Sequence, residues 1–516
     1  MRATRRFRVR LGTALALAGL AATAAVGGAA PASAGLLGNL TCPLLGTLSQ
    51  VTSAGWDSGA TTSPSTLAQV ESAIGASSLY SKGINGAGIG VALIDSGVVP
   101  VQGLTGTGKV VNGPDLSFES QQSSTAYLDS FGHGTHMAGI IAGDDGATGT
   151  FEGVAPGAHL VSVRVASHDG ATDVSQVVAA IDWVVQHRND PGLNIRVLNL
   201  SYGTESLQAY QVDPLAFAVE NAWKHGIVTV VAGGNDGTSH GSLRDPAVDP
   251  YVLSVGAANL NESSLLQCAT VASFSSRSSS RPVDVVAPGV SIESLRDPGS
   301  TIDVSNPKAV VNSRFFRGSG TSQAAAVTSG AAALLLQARP SLTPDQVKAL
   351  LKSTASPLAL LDGNAEGSGM IQVNSAAGAL VPLGATQSYP NATGTGSMEQ
   401  ARGGSHVAFD GVQLTGEQDI MAHAWSGATW APLSASAKAW DGGTWNGSVW
   451  TGSNWSGTSW AGTTWLGATW TGATWTGATW TGATWTGATW TGATWTGATW
   501  TGATWTGATW TAGTWW

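Results

Sequence analysis

The chain has 516 residues, a formal net charge of −9, 22 tryptophans and only two cysteines. That length exceeds what a single hydrophobic core serves, so separate regions are expected. The acidic balance repels phosphate backbones and argues against nucleic acid as a partner, and neither cysteine sits in a setting suited to cysteine-based catalysis.

The N-terminus carries Arg2, Arg5, Arg6, Arg8 and Arg10, then an apolar run from Leu11 to about Val26, then Ala32-Ser33-Ala34. This is the pattern of a signal peptide over residues 1–34, with export by the general or the twin-arginine route. The run is short and Ala-rich for a membrane anchor. Its removal takes five arginines and no acids, which moves the net charge to about −14. In the secreted chain Cys42 and Cys268 can pair if the fold brings them together. Residues 35–65 form a Ser/Thr/Gly-rich segment, 66–380 have the composition of an ordered domain, 381–424 read as a polar, Gly-rich linker, and 425–516 are a repeat.

Within 66–380, Gly90–Asp95 is a nearly continuous apolar run bounded by glycines, as expected of a strand buried on both faces. Residues 160–165, 195–200, 227–232 and 251–255 are similar. Between them, Val174, Val177, Val178, Ile181, Val184 and Val185 recur at helical spacing, as do Leu215, Val219 and Ala222. Strands alternating with helices predict an α/β fold with a doubly wound, mostly parallel sheet, whose ligands bind beyond the carboxyl ends of its strands. Asp95 occupies such an end. Thr321 to Gln337 predicts a buried helix with Ser322 in its first turn, and Thr343 with Pro344 caps the next helix.

Three separated patches carry chemistry: Ile94-Asp95-Ser96-Gly97, Gly132-His133-Gly134-Thr135-His136 and Gly320-Thr321-Ser322. A carboxylate, an imidazole and a hydroxyl are each framed by small residues that let a peptide backbone come close. Acyl transfer needs a base beside a hydroxyl and an acid behind the base, and these three side chains supply that set. His136 forms an i, i+3 pair with His133, but no third ligand or adjacent glutamate makes this a metal motif.

At these patches the chain resembles the subtilisin-like serine proteases, over roughly residues 66–380. The resemblance extends through Gly153-Val-Ala-Pro-Gly-Ala158, Asn199-Leu-Ser-Tyr-Gly203, Gly233-Gly-Asn-Asp-Gly237 and Asp284-Val-Val-Ala-Pro-Gly289. It implies a subtilisin-like fold with Ser322 as nucleophile, His133 as general base and Asp95 as its orienting acid. It further implies Asn235 as oxyanion-hole donor, with Ser201, Tyr202, Gly203 and Gly233 bordering the substrate cleft. Polypeptides are the implied substrates, no cofactor is required, and calcium, common in the family, has a conceivable seat at Asp144-Asp145. Arg244 lies in a loop that lines the specificity pocket in similar proteins and could favour acidic side chains there, with a solvated loop arginine as the alternative.

The chain departs from the family pattern twice. Gln323-Ala324-Ala325-Ala326-Val327 replaces the usual Met-Ala-Ser/Thr-Pro-His after the nucleophile. Residues 35–65 are too few for the folded pro-segment typical of the family. These departures keep open an alternative: a non-catalytic cell-surface or self-assembling protein on a protease scaffold.

From Trp425 onward Trp recurs every fifth residue with one gap at Ala435, mostly as Thr-Gly-Ala-Thr-Trp, and no charged side chain follows Asp441. Period five suits neither a helix nor a flat strand. Three readings stand: a β-solenoid or self-associating β-array, a sticky disordered tail, and a cell-wall or polysaccharide binder using rings as platforms. The sequence thus predicts a secreted serine endopeptidase with a tail for surface attachment or assembly.

Overall fold

The computed structural model describes residues 53–56, 63–120, 125–146, 149–263, 266–358, 362–409 and 412–450, with short backbone strands between 464 and 501. The expected signal peptide and Cys42 lie outside these residues, as does most of 35–65. No described helix is long and apolar enough to cross a membrane.

The central sheet has eight strands: β1 (Gly90–Asp95), β2 (Val110–Asp115), β3 (His159–Arg164), β4 (Ile195–Leu200), β5 (Val228–Ala232), β6 (Leu253–Asn259), β7 (Thr270–Val271) and β8 (Val285–Pro288). Their order is β2-β3-β1-β4-β5-β6, with β7 and β8 both paired to β6. Every pairing is parallel except β6 with β7. Helices α1 (His133–Ala142), α2 (Val174–His187), α3 (Pro214–Lys224), α4 (Thr321–Ala338) and α5 (Pro344–Ser353) flank it. α1 packs against α4, and α2 against α3. Every residue of β1 and β5 is buried, which explains why these strands read as unbroken apolar runs rather than alternating ones. The sheet grows to one side of β1 through β3 and to the other through β4, so Asp95 ends its strand at the switch between the two halves.

The caps expected from sequence are formed. The Thr343 hydroxyl accepts from the N–H of Gln346, and the Gln346 side chain accepts from the N–H of Thr343, a reciprocal capping box. α4 runs on through Gln323–Val327, all buried, so the residues that depart from the family pattern build the same kind of core helix.

Residues 381–424 correct the expectation of a linker. They contain α6 (Met398–Arg402), whose Arg402 is fully buried. Its Nε donates to Asp173 Oδ2 at 2.6 Å, and Asp173 is the N-cap of α2. Arg402 also donates to the carbonyl of Gly416 at 2.9 Å. A sequence rich in Gly and Ser looks like a connector, but one arginine reaching a buried carboxylate anchors it to the domain.

The first repeat units also belong to the domain rather than to a separate tail. α7 (Gly427–Ala435) packs on α3. A small antiparallel sheet follows, over Trp440–Asp441, Thr444–Trp445 and Ser448–Val449. Trp425, Trp430, Trp440 and Trp445 join the main hydrophobic core. The indole N–H groups of Trp430 and Trp445 donate to Asp182 Oδ2 at 2.7 and 2.8 Å, and the Ser434 hydroxyl donates to Oδ1. Farther on, parallel pairs join Thr464 to Thr484, Trp470 to Trp490, Thr474 to Thr494 and Thr479 to Thr499. Each partner lies twenty residues on, so four five-residue units complete one coil.

Candidate active site

Asp95 ends β1 and His133 begins α1. A Cβ on Gly134 would lie 2.2 Å from the Gly97 carbonyl, so the helix start approaches the chain after β1 this closely only because residue 134 is glycine. Gly97 and Gly132 adopt φ of +106° and +103°, left-handed values that glycine tolerates. The result is a short clamp: His133 Nδ1 meets Asp95 Oδ1 at 2.7 Å and Oδ2 at 3.0 Å. Both side chains are 1% exposed, so this hydrogen bond forms away from water and fixes the ring tautomer, with the proton on Nδ1.

Asp129 was not visible as a site residue in the sequence. Its carboxylate accepts from the Ser96 hydroxyl at 2.8 Å and from the N–H groups of Gly132 and Thr135 at 2.6 and 2.7 Å. It gathers the free donors at the start of α1 while tying them to the residue after Asp95. An aspartate four positions before a Gly-framed histidine is a capping signal that could have revealed it.

Ser322 is the second residue of α4, whose N-cap Gly320 provides no side-chain cap. The N–H of Ser322, in the first turn, has no carbonyl four residues back within the helix. Asn235 follows β5 in the adjoining loop. Its Oδ1 accepts from the N–H of Thr321 at 2.9 Å and from the Thr321 hydroxyl at 3.1 Å. A backbone donor on Oδ1 sets the amide orientation and turns Nδ2 the other way. Asn235 Nδ2 and Ser322 Oγ are both buried, and neither has a hydrogen-bond partner in the structure. An orphaned donor and an orphaned hydroxyl beside the same threonine are costly in a resting core and suited to a group that arrives later.

The expected cleft residues lie where β4 and β5 run out. Asn199 links them inward: its Nδ2 donates to Ser201 Oγ at 3.2 Å and its Oδ1 accepts from Ser329 on α4 at 2.9 Å. The Tyr202 ring is fully buried in the core, so it is the backbone at this position that a substrate can meet. A Cβ on Gly233 would lie 2.8 Å from Val283, so this glycine is required by packing on its own side.

A short N-terminal piece lies against the site. Gly55 and Ser319 exchange backbone hydrogen bonds of 2.8 and 2.9 Å, three residues ahead of Ser322. The Trp56 ring meets His133 edge-on at 6.0 Å and His136 at 5.1 Å. It is seated by Gly318, where a Cβ would lie 2.6 Å from it. Ser322 itself is 0% exposed.

Other expectations resolve differently. His136 is buried, and burial, with the charge of His133 second, pushes its pKa down to about 3. No cluster of three or more metal-capable side chains occurs among the described residues. Asp145 is gripped by Arg314 at 2.6 and 3.1 Å, and Asp144 faces Lys109 at 3.9 Å, so this turn is built around cationic side chains and does not fit a calcium seat. Arg244 is no solvated loop residue and presents no open charge to acidic substrates. Its Nε and one terminal nitrogen each donate to Asp236 at 2.6 Å, and it pairs with Glu205.

Residues 86–396 match the subtilase peptidase family. Serine protease AprX of Bacillus subtilis (strain 168) is 38% identical over 296 residues, covering 56% of this chain and 66% of the relative. Subtilisin E of the same organism is 35% identical over 315 residues, 59% of this chain and 70% of the relative. Among solved structures, fervidolysin from Fervidobacterium pennivorans, a keratinolytic enzyme related to subtilisin, aligns with a TM-score of 0.48 at 30% identity over 60% of this chain and 45% of its own.

Proposed function

From the premise that this chain belongs to the subtilase family, we propose that it is a serine endopeptidase working through Asp95, His133 and Ser322. The Ser322 hydroxyl turns to the Nε2 of His133 when substrate enters and attacks the peptide carbonyl carbon, and His133 takes its proton. Asp95 holds the Nδ1–H and stabilises the imidazolium. The oxyanion accepts from the Ser322 N–H and from Asn235 Nδ2. The C–N bond breaks as His133 returns the proton to the leaving amine. Water then adds to the acyl-enzyme with His133 as base, releasing the carboxylic acid and restoring Ser322. Each proton and bond is accounted for by these side chains, with no cofactor assigned a step.

The observation that supports this reading most is the pair of buried, unpartnered groups, Ser322 Oγ and Asn235 Nδ2, beside a formed Asp95–His133 clamp. Polypeptides threaded past Ser201–Gly203 and Gly233 are the substrates. The basic, apolar N-terminus supports secretion, and the later repeat units serve surface attachment or self-association. A fluorophosphonate probe tests the core of the proposal: it should label Ser322, and His133→Ala should abolish labelling. A folded but unlabelled protein overturns it.

A further inference from the structure

We propose that Arg244 sets which peptide bonds are cut, by filling the space that receives the side chain on the acyl side of the scissile bond, so that small uncharged residues are accepted there. This rests on the endopeptidase reading. If the carbonyl oxygen of that residue points at Asn235 Nδ2, its side chain falls beside the strand leading into Asn235, between Gly233-Gly234 and the neighbouring Ser201–Gly203. β4 and β5 are parallel neighbours, with Leu200 opposite Val231, so these two stretches form facing walls.

Glycines on both walls leave room, and Arg244 takes it. A Cβ on Gly203 would lie 2.8 Å from Arg244 Cβ, and one on Gly234 would lie 2.8 Å from Arg244 Cγ. The aliphatic stem therefore touches both backbones. The loop carrying it is fastened at each side: the Arg244 N–H donates to the Gly233 carbonyl at 3.2 Å, and Thr204 and Asp245 exchange hydrogen bonds of 2.9 and 3.0 Å. At the far end the guanidinium bridges Asp236, which follows Asn235, and Glu205, two residues after Gly203. Carboxylates from both walls thus hold the arginine across the gap, and its side chain is only 8% exposed. The charge is met within the protein by Asp236 and Glu205, so it does not attract an acidic substrate side chain, and swinging aside would leave the largely buried Asp236 without its cation. A large aromatic or aliphatic side chain has no volume to enter, because packed interiors do not yield by the width of a ring.

The test compares peptides that differ only at this residue, Ala, Phe or Glu, in kcat/KM with the full-length protein. The unaltered protein should favour Ala over Phe and over Glu by at least tenfold, and its cuts in a denatured protein should follow Gly, Ala and Ser. Arg244→Ala should raise the Phe-to-Ala ratio at least tenfold, with fluorophosphonate labelling reporting that the variant is folded. If the unpaired carboxylates unfold it, the triple variant R244A/D236N/E205Q removes them. A preference for Phe or Glu in the unaltered protein, or an unchanged ratio in a labelled variant, overturns the assignment while leaving the endopeptidase reading intact. Failure of the unaltered protein to label would sink both.

Discussion

Thr321 places its N–H and its hydroxyl on the carbonyl oxygen of Asn235, and this decides which end of the amide awaits the reacting group. Asn235→Ala removes a donor that strengthens only as the oxyanion forms, so kcat should fall about 10²–10³-fold with KM little changed in steady-state assays. Asp95→Asn keeps the shape of the clamp but offers the ring an amide, so the wrong tautomer becomes available and kcat should fall about 10⁴-fold. Asp95, His133, Ser322 and Asn235 could be singled out as candidates in the sequence because each sits in a short motif framed by small residues. For Arg244 the sequence offered a place in a pocket-lining loop but not its carboxylate partners. Its partners Glu205 and Asp236 meet it only after two strands and a loop converge, and no local pattern announces that meeting. Tyr202 was expected to border the cleft, and the fold turns its ring into the core.

At the scale of elements, the buried strands and the capped helices were legible because apolar runs and N-caps are local signals. The domain edge was not, since composition alone cannot tell an exposed connector from one anchored by a single arginine. Arg402→Ala leaves Asp173 charged and buried, and should cost about 3–5 kcal/mol in urea unfolding. Asp182 offers a pH test. Burial, opposed by its hydrogen bonds from Ser434, Trp430 and Trp445, lifts its carboxyl to about 6. A folded pKa above the unfolded one means the folded chain binds more protons between about pH 4 and pH 6, so stability falls as pH rises through that window. The stability of the unaltered protein relative to Asp182→Asn should therefore drop by about 3 kcal/mol from pH 4 to pH 7 in paired urea melts. The piece bearing Gly55 and Trp56 lies against His133 and pairs with Ser319, so removing residues 53–62 should speed fluorophosphonate labelling of Ser322 at least tenfold. An unchanged rate would mean that this piece is no barrier.

At the scale of the whole molecule, the repeat divides in two although its sequence barely changes. Units up to Trp450 complete the peptidase core through Asp182, whereas the later strands pair among themselves. A chain ending after residue 450 should keep its melting temperature and its labelling. One ending after residue 424 exposes Asp182 and the faces of α2 and α3, and should melt lower. The twenty-residue register of the later strands also governs reach. Neighbouring strands sit about 4.8 Å apart, so each coil lengthens the tail by only that much, where the same residues pulled straight would extend about 70 Å. Adding or losing four units therefore changes the length of the coil by only about 4.8 Å and leaves its girth, set by the twenty-residue register, unchanged.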